Sequence, residues 1–456
     1  MTDQHWLRSW WWLIVLLVPL LLVALWAGQL YGTLRTLQSH LEEAQALTAS
    51  QPLELLKENP GAVADLLAGL RSDVDALKPQ VEGLSRFGSV LGWVPGAGPL
   101  LEDAPQWVEM ADGLVAAGEI LWKAYTPVLE SWQAGEAAPE TLAPLLAYAS
   151  NHIGEARLEV ERVQAARAQV RPEALPQQLQ EPLRKLDLLL PWLDDGLVLL
   201  EQAPDLLGME EPRTYLVLVL NDDELRPGGG FITGVGEVSL DAGRVVTMTF
   251  GDSYAVDDFD QPYPEPPLPM QRFLGLDLWV FRDSNWSPDF PTSVEQGLEL
   301  YRPGHPVTVD GVVAVDQQAA VRLVDAIGSL QVEGASEPIT GDSLLTYIHD
   351  SWAPEEGDSF GVDWWKQRKA FMGTLAEAGR AKLERGEVDW SKVGETLVQV
   401  LEQRHMQVYL KNSSAAAVLA ERRWDGSLLP VRGDFLYLVE ANIGYNKVSA
   451  KIERTM

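Results

Sequence analysis

Along the chain the spacing of apolar positions changes twice. Trp10 to Tyr31 is almost continuously apolar, Thr33 to Leu206 follows helical spacing, and beyond Gly208 apolar residues come in short runs broken by glycine and proline. The first run approaches the roughly 20 residues that cross a bilayer, with Trp10, Trp11 and Trp12 at one end and Trp26 and Tyr31 at the other, where aromatic rings favour the interface. It predicts a single transmembrane helix over 10–31 behind a short cytoplasmic tail, 1–9. Bulky Leu25 and Trp26 interrupt any small-residue cleavage site, which argues for an uncleaved anchor. Arg8 lies before the span and Arg35 after it, and the segment beyond soon becomes acidic at Glu42 and Glu43; the bulk of the chain is expected outside the cytoplasm.

The second region carries two strict three-four stripes, Leu67, Leu70, Val74, Leu77, Val81, Leu84 and Leu183, Leu186, Leu190, Leu193, Leu197, Leu200. Stripes of this kind need partner helices. Pro79 and Pro191 fall inside them and are expected to kink or divide the helices, so 32–206 reads as a compact bundle or stalk. Gly92 to Pro99 reads as a loop joining two helices.

From Tyr215 to Leu220 the chain has the length and composition of a strand buried on both faces. Phe231 to Leu240 and Arg244 to Phe250 flank Asp241-Ala-Gly243 and predict a hairpin. An acidic, proline-rich loop follows, Gly251 to Pro269, of the length that serves as a lid or binding loop or as an exposed crossover. The remaining signals are a short strand at Leu278 to Phe281, a helix opened by the capping box Thr292 to Glu295 and running to Tyr301, a strand at Val312 to Val315, and a helix from Gln317 to Ile327 closed by Gly328. Further helices are expected at Ser343 to His349, Asp363 to Arg385 and Trp390 to Arg404, then strands at Phe435 to Glu440 and Lys447 to Ile452. The fold class is therefore α+β or α/β: an anchor, a helical bundle, then a mixed β-sheet domain over 207–456 with helices on both faces. Met456 follows a strand-like segment with no closing element, so this domain reads as truncated at its C-terminal end.

A formal charge of −31 excludes a general affinity for nucleic acid, and any polyanion would need a local basic site. No cysteine is present, which removes disulfides and thiolate metal sites. The six histidines, at 5, 40, 152, 305, 349 and 405, lack zinc-ligand spacing. Gly341-Asp-Ser-Leu344 matches a lipase-esterase motif but has no downstream Asp-x-x-His, and it fits the start of a helix instead.

In so acidic a chain, arginines at turn motifs stand out, because the guanidinium fork suits paired phosphate oxygens. Arg226 lies between Asp222-Asp-Glu224 and Pro227-Gly-Gly-Gly230, where Gly228 and Gly229 would let a ligand approach the backbone. Arg282 follows a predicted strand, and Arg368 lies in Trp364-Trp-Lys-Gln-Arg-Lys-Ala-Phe371. Asp252, Asp283 and Asp289 are the neighbouring carboxylates, and Asp252 and Asp283 could hold Mg2+, which needs only one or two protein carboxylates. The competing reading pairs each arginine with a carboxylate simply to hold turns together.

Four motifs in order, Asn221-Asp-Asp-Glu-Leu-Arg-Pro-Gly-Gly-Gly-Phe231, Gly251-Asp-Ser-Tyr254, Arg282-Asp-Ser-Asn-Trp-Ser-Pro-Asp-Phe-Pro291 and Val309-Asp-Gly-Val-Val-Ala-Val-Asp316, resemble those of the bacterial family called domain of unknown function 4012. In motif order and architecture the chain is also distantly similar to the LytR-CpsA-Psr proteins, membrane-anchored enzymes that move glycopolymers from a polyprenyl-pyrophosphate carrier to the cell wall. The position of Arg368 resembles that of their arginine-containing helix, although their dense arginine cluster is missing. This resemblance implies a single-pass, extracytoplasmic envelope protein that binds a polyprenyl-pyrophosphate-linked glycan and transfers it as a phosphotransferase. The alternative is a non-catalytic envelope scaffold or adhesion module.

Overall fold

In the computed structural model the described residues are 28–46, 59–91, 97–134, 139–352, 369–411, 413–429, 432–444 and 446–452. The chain divides into two compact units, Met1–Glu201 and Gln202–Met456. The predicted membrane span lies outside the described residues except for 28–31, and no described helix is long and apolar enough to cross a membrane.

The first unit is built from helices: α1 (28–46), α2 (Pro60–Leu91), α3 (Ala97–Gln133), α4 (Pro139–Arg167) and α5 (Gln177–Leu206), whose last turn passes into the second unit. The stripes do what their spacing demands. Val74, Leu77 and Val81 are buried, and Leu183, Leu190 and Leu197 enter a core with Ile153, Val160 and Val163 of α4. Leu200 departs from the stripe and is exposed. Neither Pro79 nor Pro191 divides its helix, and Ala97 to Pro99, expected in a loop, already belong to α3; the rest of that loop, 92–96, is outside the described residues.

The second unit is organised on a five-stranded sheet in the order β3-β2-β1-β4-β5. Its strands are β1 (Arg213–Arg226), β2 (Gly229–Asp241), β3 (Arg244–Asp252), β4 (Gly311–Val315) and β5 (Met406–Leu410). The hairpins β1-β2-β3 are antiparallel, β1 and β4 run parallel, and β5 adds antiparallel to β4, so the sheet is mixed. Pairing of β1 with β2 needs glycine: a Cβ on Gly230 would stand 2.4 Å from the Asn221 carbonyl carbon, and Gly229 has φ +115°.

Alternation along β1 sends its two faces to different fates. Leu216 and Leu218 enter a closed core with Phe281, Val312, Ala314 and helix α6 (Phe290–Tyr301). Val217 and Val219 face the other way, toward α7 (Gln317–Ile327), α8 (Gly341–Trp352) and α9 (Phe371–Glu384), and are only half-buried. Helices α10 (Trp390–Glu402) and α11 (Ser414–Arg422) flank β5 in sequence.

Several expectations need correction. Leu278 to Phe281 is no strand: the Trp279 N–H donates to Pro264 and the Phe281 N–H to Asp257, and the chain turns through a short 3-10 helix, Phe281–Asp283. Helix α6 begins two residues before the predicted box, because Asp289 accepts the Thr292 N–H and Pro291 favours the first turn. Phe435 to Glu440 and Lys447 to Ile452 pair with no strand; the second holds a short 3-10 turn. Of the helix expected over Asp363 to Arg385, only α9 falls within the described residues. Strand β5 and helix α11 carried too short a pattern to be anticipated.

Candidate functional site

Two features adjoin each other at the carboxyl ends of the parallel pair β1 and β4: a knot of buried charge and an apolar cavity. The knot starts at Arg226, whose side chain is 2% exposed. Nε donates to Asp283 Oδ1 (3.3 Å), Nη1 to the carbonyls of Leu225 (3.1 Å) and Asn442 (3.3 Å), and Nη2 to Glu224 Oε1 (2.9 Å). Four of its five N–H donors are thereby used. The guanidinium carbon also lies 5.2 Å from the centre of the Phe231 ring.

Arg282 is ion-paired with buried Asp257 and sits 4.3 Å over the Tyr254 ring, with its Nε 4.0 Å from Asp283 Oδ2. Lys369, 6% exposed, donates to the Thr233 carbonyl and to Asp252 Oδ1 (2.8 Å). Three cations, Arg226, Arg282 and Lys369, therefore face four carboxylates, Glu224, Asp252, Asp257 and Asp283. Burial pushes the Asp257 carboxyl above the usual range even though the charge of Arg282 pulls it down.

The sequence candidates are thus partly assembled. Arg226 and Arg282 converge, but on Asp283 and not on an open pocket; Arg368 lies outside the described residues. The room left by Gly228 is filled by the chain itself, since its N–H donates to the Asn285 carbonyl (3.0 Å) and a Cβ there would meet that oxygen at 2.8 Å. Gly229 continues the turn into β2. Asp252 and Asp283, expected to hold Mg2+, each take a basic side chain, and among the described residues no three acidic or histidine side chains cluster as a metal site. Asp289 caps α6.

Sequence reading missed Lys369, one position from Arg368 in the only dense basic run of an acidic chain, and that run was the available signal. It also missed the cavity. About 300 Å³ of space lies between the sheet and helices α7, α8 and α9, walled by Val217, Val219, Phe250, Leu323, Leu344 and Phe371 among others. Of its few polar lining residues, Asn221 and Thr233 lie within β1 and β2 and Asp316 and Gln317 follow β4, and Thr233 is the residue whose carbonyl holds Lys369. Gln317 donates to Asn221 Oδ1 (2.9 Å), and Asp316 caps α7 through the Ala319 N–H while meeting His405 Nδ1 at 2.7 Å. The cavity is twice the ~150 Å³ of an engineered apolar void that admits benzene.

Beside this rim, burial and then the charge of Asp316 raise the Asp222 carboxyl above its ordinary value. A raised carboxyl means the native state holds its proton more tightly than the unfolded chain. Its stabilising contribution is therefore full below about pH 4 and is lost as pH rises through the folded value. Asp222→Asn is accordingly expected to raise the melting temperature at pH 7 and to give no gain at the acid end. Paired thermal melts across that range check it, and equal melting temperatures at every pH would show that Asp222 is not a cost to the fold.

Residues 210–351 match the model of the family described as protein of unknown function DUF4012. No curated protein matches the chain. Among solved structures it is similar to TagV of Bacillus subtilis, at 12% identity over 50% of this chain and 87% of that one with a TM-score of 0.28. It is similar also to the Lin1025 protein of Listeria innocua (15% identity, 47% and 79% covered, TM-score 0.26) and to the transcriptional regulator YvhJ of Bacillus subtilis (13%, 50% and 86%, 0.24). At such scores these likenesses carry no argument, and the fold stands on its own strand order. All four motifs that resemble the family fall inside the matched segment, 210–351, which covers less than a third of the chain.

Proposed function

We propose that the chain is a single-pass, extracytoplasmic protein of the cell envelope whose sheet domain binds the tail of a polyprenyl-phosphate-linked glycan in the cavity between the sheet and α7, α8 and α9. The observation that carries this reading is the cavity itself: close to 300 Å³ with almost entirely apolar walls and only a few polar residues, Asn221, Thr233, Asp316 and Gln317, among those that line it. The pocket is half open, so its apolar walls meet water, and covering them with an apolar ligand would be favourable by about 25 cal/mol per Å². An isoprenoid chain has the required chemistry, being apolar, unbranched enough to thread between helices and free of groups that need hydrogen bonds. Its head would emerge near Asn221, Thr233 and Gln317, within reach of the Lys369 neighbourhood.

Binding is the activity proposed. Arg226 and Arg282 are engaged by carboxylates, so the role they support is holding the rim of the cavity, and no phosphotransfer step is derived from them. A scaffold or adhesion module without a lipid ligand has no use for the cavity. The test is a polyprenyl phosphate carrying a photoreactive group at its tail, with the labelled residues mapped in the full chain; failure to label the cavity walls removes the reading.

A further inference from the structure

The cavity has a direction. Helices α7 and α9 start together: Gln317, the first residue of α7, donates to Asn221 of β1, and Lys369, just ahead of α9, donates to the Thr233 carbonyl of β2. Asn221 and Thr233 are neighbours across the β1-β2 pair, where Leu220 faces Ile232. The two helices also finish together, since Lys382 of α9 donates to the Ser329 carbonyl (2.9 Å) just past the end of α7. There the chain crosses the far end of the cavity. Leu330, 2% exposed, lines that end and exchanges two backbone hydrogen bonds of 2.8 Å with Ile339. Lining residues run from Gln317 to Ile327 on α7 and from Phe371 to Gly379 on α9, about 15 and 12 Å at 1.5 Å per residue. Three extended backbone bonds of a polypeptide advance about 3.6 Å, so the four main-chain bonds of an isoprene unit advance about 5 Å, and the cavity is about three units long. The volume agrees. If a void of ~150 Å³ takes the six carbons of benzene, one of 300 Å³ takes about twelve, or two to three five-carbon units.

Gly379 lines the wall near the far end, and a Cβ built on it meets nothing within 4 Å. Glycine is unfavourable in a helix interior, and here it keeps open the space where a third unit would end. We propose that the cavity measures the prenyl chain: it seats the two or three isoprene units next to the head, Gly379 sets the limit, and later units leave through the open side. The inference rests on the polyprenyl reading above. It makes recognition independent of total chain length, so that any prenyl phosphate of three or more units fills the seat and a single unit leaves most of it empty.

The test uses one long polyprenyl phosphate with its diazirine at either the second or the sixth isoprene from the phosphate, added to the full chain in proteoliposomes. Labelling of Val219, Leu323 and Phe371 on the cavity walls should be roughly tenfold stronger from the second position, the contrast between a segment buried in a pocket and one outside it. Equal wall labelling from both positions would overturn the proposal and leave the polyprenyl reading standing. No wall labelling from either would remove that reading itself. Gly379→Leu adds four carbons, close to one unit, at a helix position that favours leucine over glycine. In this variant a diazirine on the third isoprene should lose its labelling of Ile327 and Leu330, while the second isoprene labels the walls as in the natural protein. Unchanged labelling from the third isoprene would overturn the limit assigned to Gly379.

Discussion

Ala376→Phe is expected to raise the melting temperature of the protein while lowering its retention of polyprenyl phosphate about tenfold or more, the equivalent of two or three methylenes losing their seat. Ala376 lines the cavity from α9, so a phenyl ring placed there fills the space proposed for the tail. Burying the ring is worth about 1.5–3 kcal/mol, less any strain of fitting it. A net gain of about 1 kcal/mol would appear as roughly 2–4 °C in a unit of this size. The opposite signs of the two effects are the diagnostic. An unfilled flaw in the core would give the stability gain with retention unchanged. Ala320→Leu fills from the α7 wall and guards against a misfit at the first position. Agreement of the two variants, read by thermal melts and by lipid retention, is the expected result.

The second large effect concerns Arg226. Replacing it by methionine removes the cation from Asp283 and Glu224, the first of which is almost fully buried, and stranding buried charge in this way costs about 3–5 kcal/mol. Arg226→Lys keeps the charge but cannot reach two carboxylates and two carbonyls together, so a loss of roughly 1–3 kcal/mol is expected. Denaturant titration measures both. Tail binding by the lysine variant should match that of the natural protein, because Arg226 does not line the cavity. Weakened binding without lost stability would instead make Arg226 a ligand contact and restore the phosphate reading.

The sequence made the strands β1 to β4 and helix α7 legible because their signals are local: alternation, the Asp241-Ala-Gly243 turn, and Gly328 after an amphipathic run. It could not show where the carboxylates go. Asp283 lies 57 residues from Arg226 and Asp257 lies 25 from Arg282, and only the meeting of the long loop with the short turn Phe281–Asp283 and the β1-β2 hairpin brings these pairs together. The run Tyr215 to Leu220 is equally instructive. Its apolar residues on both faces imply burial on both faces, whereas Val217 and Val219 border a cavity. Apolar composition reports what a wall is made of; whether the wall meets another wall depends on helix spacing set far along the chain. The strand-like Phe435 to Glu440 fails for a related reason, since β-propensity without a partner edge makes no strand.

The most direct measurement is to locate the tail. Full-chain protein in proteoliposomes, irradiated with a polyprenyl phosphate that carries its diazirine on a tail isoprene, should be labelled on peptides from β1, α7 and α9, with Val217, Val219, Leu323 and Phe371 among the modified positions. Excess unlabelled polyprenyl phosphate should compete this labelling away. Label absent from those walls, or confined to surface residues such as Leu188 and Leu189 of α5, would contradict the account.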